Sequence, residues 1–329
     1  MNMLEKLIAL YGTKGLDAIE QNGQLLLDEF NVKTKEELAL LPKFNETNNK
    51  VRQLAATIKK LISGTITKEE EVINILRYAR ERSFEDRTKS NYAVDMDIFG
   101  RLVRSSIVYT AWPENIKSHF ENLYPKICSW FTYFLSYTNQ NSLYYNKKYH
   151  KILSRLISVK EHDVKNSNLI AETTHILLKN HNGLIGGFYD KPKLDIGVSL
   201  EKIKDASSRS FVFVQISSKT SFTESDHTKN WCFVEFNCFQ QSDQQLKDYP
   251  ASVADRYLFL IDGEKIEDIR PAVNFSSYDQ WFNFIPQRHF KGVGSTFKDY
   301  ERNVNDLAKA IVSFIDKKII STIPQSQTT

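Results

Sequence analysis

The second half of the chain alternates short apolar runs with helical stretches, and no other feature constrains the fold as much. WFTYFLSY (130–137), GLIGGFYD (183–190), SFVFVQIS (210–217), RYLFLID (256–262) and WFNFIP (281–286) have the length and aromatic or branched content of strands. Between them lie a long helical stretch through about 180, the amphipathic SLEKIKDA (199–206) and NWCFVEFNCFQQ (230–241). ERNVNDLAKAIVSFIDKKI (301–319) follows as an amphipathic helix. Strands alternating with helices predict an α/β fold whose five-stranded parallel sheet is covered on both faces. In such sheets the ligand crevice lies beyond the carboxyl ends of the strands. The positions to watch are therefore those just after Tyr137, Asp190 and Ser217.

The first 125 residues read differently. LEKLIALYG, GQLLLDEF, KEELALL, KVRQLAATIKKLI, DMDIFGRLVRSSIVYTAW and ENIKSHFENLY place apolar residues three and four apart, as helices do. Thr67 precedes KEEEVINILRYARER, which has an acidic first turn and a basic end, so a capped helix is expected there. No catalytic constellation occurs in this region. The expected organisation is an all-α domain over 1–125 for interaction or regulation, an α/β domain over 128–320, and a disordered polar tail over 321–329.

Composition excludes several classes. The net charge of +4 is too small to imply nucleic acid, and pairs such as Lys59-Lys60 and Lys147-Lys148 read as solvated faces. Cys128, Cys232 and Cys238 are too few for a disulfide framework and suit a reducing cytosol. Cys232 and Cys238 read as buried thiols, and the seven histidines show no metal-ligand spacing. MNMLEKLIALYG is not a signal peptide, and no run approaches the ~18 apolar residues of a membrane span. A cytoplasmic protein is expected. Neither GxGxxG nor GxxxxGK[ST] occurs, so the familiar phosphate cradles are missing, and Gly186-Gly187 reads as close packing.

One carboxylate stands out. In NWCFVEFNC (230–238), Glu235 lies among Cys232, Phe233, Val234 and Phe236, four residues after Trp231. Three motifs in order give this segment a context. FLSYTN (134–139) resembles the first strand and loop of TIR domains. FYDKPKLDIGVSLEKIKDASSRSFVFVQIS (188–217) resembles the block that follows it in that family. NWCFVEF falls where TIR domains carry a W-C-x-x-E type helix. The resemblance covers roughly 128–320 and implies a flavodoxin-like sheet. Two departures are visible: Tyr144 to Asn182 is longer than the usual first helix, and SSKTSFTESDHTKN before Trp231 is a long loop.

Some TIR domains are adaptors, and others cleave NAD at the nicotinamide–ribose bond. In the latter, the resemblance places the glutamate of the helix after the third strand on Glu235, with Trp231 one turn before it. It places the loop after the first strand on Tyr137, Thr138 and Asn139, and the loop after the second strand on Asp190 through Gly197. It further implies NAD as substrate, no bound cofactor or metal, and self-association through the 190–198 loop. The trigger or partner of the helical half is undetermined, and the implied setting is anti-phage defence or signalling.

The residues make chemical sense of that implication. Positions four apart share a helix face, so Trp231 and Glu235 are expected to address one pocket. Expelling neutral nicotinamide leaves a cation-like ribose, and a single carboxylate beside the sugar can stabilise it. Glycosidases use two carboxylates because their leaving groups need an acid. Tyr137 and Trp231 would flank a ring of the substrate. The plain alternatives are a surface carboxylate at Glu235, a core Trp231, a core Tyr137, a turn residue at Asp190 and a backbone-relaxing Gly197. Water as acceptor would give ADP-ribose, the adenine a cyclic product, and a free base exchange. The competing function is a non-catalytic adaptor; a nucleoside-processing transferase would need a second carboxylate.

Overall fold

A computed structural model describes residues 2–13, 23–83, 92–137, 169–181, 184, 186–189, 200–217, 231–261, 289–291 and 297–325. The chain divides into two compact units, one through Cys128 that also takes in the end of the chain from Ile323, and one over Ser129–Thr322.

The described elements of the first unit are helices: α1 (Met3–Thr13), α2 (Gly23–Phe30), α3 (Lys35–Ala39), α4 (Pro42–Leu61), α5 (Lys68–Ser83), α6 (Tyr92–Ser105), α7 (Ile107–Thr110) and α8 (Glu114–Ser129). The start of α5 follows its sequence. The Thr67 hydroxyl accepts from the Glu70 amide at 3.2 Å, and the Glu70 carboxylate accepts from the Thr67 amide at 2.8 Å. This reciprocal cap satisfies two of the free amides at the helix start. One turn on, buried Glu71 accepts from Trp112 Nε1 at 3.0 Å and pairs with Lys68 at 3.1 Å, which makes its burial tolerable.

Two apolar patterns that look continuous are broken. KEELALL stops at Ala39 because Pro42 opens α4, where its missing amide costs nothing. DMDIFGRLVRSSIVYTAW divides at Ser106, whose hydroxyl accepts from the Tyr109 amide at 3.3 Å and so caps α7.

The second unit is α/β. Its elements are β1 (Phe131–Ser136), α9 (Leu169–Lys179), β2 (Phe188–Tyr189), α10 (Leu200–Ser208), β3 (Ser210–Ser217), α11 (Trp231–Gln240), α12 (Val253–Arg256), β4 (Tyr257–Ile261), β5 (His289–Lys291) and α13 (Phe297–Phe314). All strand pairings are parallel, in the order β2–β1–β3–β4–β5. The chain leaves β1 to form β2 on one side and returns to form β3 on the other. The carboxyl ends of β1 and β3 therefore flank the point where connections diverge, which is where open parallel sheets form crevices.

Alternation along the strands builds two apolar layers. On one face Phe134, Phe213 and Tyr257 pack with Ile203 and Ala206 of α10 and with Cys232, Phe236 and Phe239 of α11. The ring of Phe213 lies 5.3–5.8 Å from those of Phe134, Phe236, Phe239 and Tyr257. On the other face the Tyr133 hydroxyl lies 3.0 Å from His175 Nδ1 of α9, and α9 packs against α13. Arg256 is fully buried near the start of β4. It donates to the Phe211 carbonyl at 3.2 Å and to Ser242 Oγ at 2.9 Å, with its guanidinium over the Phe239 ring. Burial lowers its pKa, and with Asp243 and Asp255 acting in the raising direction the net value is about 10.

Several boundaries differ from the sequence-based expectation. SFVFVQIS is a strand throughout, but among its described residues GLIGGFYD contributes Phe188–Tyr189, with Gly186 turning the chain at φ 108° just before them. WFNFIP lies outside the described residues, and the segment paired with β4 is His289–Lys291. The final amphipathic helix widens into π turns over Ile315–Ile320. Gly187 meets the expectation of close packing, since a Cβ there would overlap the Tyr133 ring. Gly187→Ala is expected to cost the second unit about 1–3 kcal/mol, read as a lower thermal midpoint.

Candidate functional site

Ser136 ends β1, and its position two residues after Phe134 turns its hydroxyl to the α10–α11 face. There Ser136 Oγ donates to Glu235 Oε2 at 2.5 Å. Glu235 sits one turn into α11 and is only 9% exposed, so it is not a surface carboxylate. From α10, Ser207 Oγ donates to the Glu235 backbone carbonyl at 2.6 Å. The carboxylate is thus tied to the end of β1, and its helix is tied to α10. A hydroxyl donating to a carboxylate at this distance is a charge-assisted bond, among the stronger kinds in proteins.

Cys232 lies on the same buried face. Burial pushes its thiol well above the ordinary range, and the Glu235 carboxylate adds to this; the Ser136 hydroxyl works the other way. Such a thiol is a packing group and not a nucleophile. Cys238 is raised by burial first but is only half-buried, so of the two thiols expected to be buried only Cys232 is.

The polar end of this face extends to the neighbouring strands. Gln215 of β3 is the register partner of Ser136, is fully buried, and accepts a hydrogen bond from the Tyr257 hydroxyl of β4. Its Nε2 has no hydrogen-bond partner among the described residues.

The aromatic residues divide. Trp231, at the first position of α11, is 42% exposed and is therefore not a core tryptophan. Tyr137 is half-buried with its ring 5.7 Å from that of Tyr189, which in turn lies 5.3 Å from His175. These contacts group Tyr137 with β2 and α9, whereas it is Ser136 that reaches Glu235. Strand alternation explains the exchange, since consecutive residues address opposite faces. Thr138, Asn139, Asp190 and Gly197 lie outside the described residues.

Sequence reasoning passed over Ser136, Ser207 and Gln215. For Ser136 a usable signal existed, because FLSYTN puts it in phase with Phe134. Ser207 and Gln215 carry no such signal, as their roles follow from tertiary neighbours. Among the described residues no group of three His, Cys, Asp or Glu side chains is placed to hold a metal ion, and no helix is long and apolar enough to cross a membrane. Comparison of the chain with family profiles, curated proteins and solved structures gave no match in any of the three.

Proposed function

We propose that the second unit is a TIR-like NAD+ nucleosidase in which Glu235 is the catalytic carboxylate. The observation that carries this reading is the placement of Glu235, a largely buried carboxylate bonded to Ser136 at the carboxyl end of β1. The strand order β2–β1–β3–β4–β5 supports it as well, because it is the doubly wound order of flavodoxin-like sheets, with its crevice between β1 and β3.

In the proposed reaction the bond between nicotinamide nitrogen and ribose C1′ breaks. Both electrons leave with nicotinamide, which departs neutral. The positive charge left on the sugar is stabilised by the Glu235 carboxylate, which acts strongly because water is largely excluded around it. Water then adds to C1′ and releases a proton, giving ADP-ribose; attack by the adenine nitrogen instead gives a cyclic product. Trp231, exposed at the helix start, offers a face for a substrate ring. Trp231→Ala is expected to raise KM about tenfold with kcat little changed, the size of one lost stacking contact, in steady-state kinetics. Self-association through the 190–198 loop is part of the proposal, as is a defence or signalling setting.

A second reading, a non-catalytic adaptor, has one observation in its favour. Leu200 and Trp231, the first residues of α10 and α11, are 50% and 42% exposed and would suit a protein contact. Incubating the purified chain with NAD, alone and with a crowding agent, separates the two. NAD consumption with matching nicotinamide and ADP-ribose or cyclic product supports the enzyme. No consumption, even in forced oligomers, supports the adaptor.

A further inference from the structure

The end of β1 carries a second functional side chain. We propose that Ser136 is a positioning residue for Glu235: its hydroxyl fixes one carboxylate oxygen and holds the group ionised and aimed at the crevice. This rests on the reading of Glu235 as the catalytic carboxylate.

Geometry makes the case. Ser136 is buried, and its hydroxyl sits 2.5 Å from Glu235 Oε2, across 99 residues of sequence. A carboxylate on a helix, with several side-chain torsions, gains a fixed direction only from a partner on a rigid element. Here that partner stands on a strand paired on both sides, with β2 and with β3. Ser207 holds the Glu235 backbone, and Ser136 holds a carboxylate oxygen.

The surroundings are those of a site more than of a core. Beside Ser136 in register stands Gln215, whose buried amide nitrogen has no partner among the described residues. Such a group calls for a partner, and an ordered water or a bound ligand would supply one. A purely structural serine at a strand end is adequately satisfied by a backbone carbonyl, as Ser210 is by Ala206. Ser136 instead spends its donor on the one acid of α11.

Several ionisable groups of the described residues lie near Glu235. Its own helix contributes Cys232 and Cys238, α10 contributes Glu201 and Lys204 beside Cys238, and β4 contributes Tyr257, which is engaged with Gln215. β1 contributes only the Ser136 hydroxyl. Hydrogen bonding to the charged form favours that form. Its loss therefore moves proton uptake by Glu235 to higher pH.

The test compares the full chain with Ser136→Ala and Ser136→Thr. In the alanine variant kcat for nicotinamide release is expected to fall about thirtyfold, with KM within about twofold. The acid limb of its kcat–pH profile is expected to move up by about one pH unit. Ser136→Thr, which keeps the hydroxyl, restores both. An alanine variant with wild-type kcat and acid limb overturns the proposal, and so does a threonine variant as impaired as alanine. Titration of the Glu235 side-chain carboxyl by carbon NMR provides a readout without turnover. A midpoint raised by Ser136→Ala supports the positioning contact even if no condition yields nicotinamide, in which case only the enzyme reading fails. An unchanged midpoint overturns it. If the alanine variant does not fold, Ser136→Cys, with its weaker donor, is expected to fall between wild type and Glu235→Gln in rate; a wild-type rate there overturns the proposal.

Discussion

Glu235→Gln is expected to slow nicotinamide release about a thousandfold, equivalent to ~4 kcal/mol of lost transition-state stabilisation. The substitution keeps size and shape, removes the charge and exchanges one acceptor oxygen for an amide donor. Ser136 can still donate to the amide oxygen, and Ser207 still holds the backbone carbonyl at 2.6 Å. The thermal midpoint is therefore expected to stay near that of the wild type. The separation is informative. A structural carboxylate would lose stability with its charge, whereas one serving a developing cation loses rate. Single-turnover rates with excess enzyme, alongside melting curves, read both quantities on one preparation.

Phe213→Ala is expected to act on stability with comparable size. Phe213 is fully buried in the centre of β3, with four aromatic rings at centroid distances of 5.3–5.8 Å. Truncation removes the transfer energy of the ring and leaves a cavity that stiff neighbouring rings cannot fill, at about 4 kcal/mol. For a unit of this size that corresponds to a midpoint lower by roughly 8–16 °C. The contrast with Glu235→Gln is the point. One residue holds the core of the sheet together, and the other is proposed to supply charge to the substrate.

Much of the α/β character was legible because it depends on local apolar runs. SFVFVQIS becomes β3 over its whole length, since a continuous branched and aromatic run suits a strand buried on both faces. NWCFVEFNCFQQ becomes α11, although apolar residues lie all round it. GLIGGFYD shows the limit. Its apolar content suggests a full strand, yet Gly186 adopts a positive φ and Gly187 yields its space to Tyr133. The breaks at Pro42 and Ser106 are likewise decided by a single residue's capping chemistry within a longer apolar pattern.

The site was legible only in part. Glu235 stands out in the sequence because Cys232, Phe233 and Phe236 around it are apolar, and its burial in α11 matches that setting. Ser136 escaped notice because neighbouring Tyr137 is the larger and chemically more conspicuous side chain. The strand period assigns the two to opposite faces, and only Ser136 reaches the carboxylate. Gln215 could not have been found from sequence, since its place beside Ser136 follows from register between strands 79 positions apart. The sequence leaves Trp231 open between a core residue and a ligand contact; at the first position of α11 it is substantially exposed, which removes the core reading.

The central claim is that Glu235 lends negative charge to a sugar losing its pyridinium. Its most direct test is proton NMR of NAD incubated with forced oligomers of wild-type chain and of Glu235→Gln in parallel. The predicted result is free nicotinamide appearing with the wild type and only a trace with the variant. Equal release from both, or none from the wild type under any condition, contradicts it.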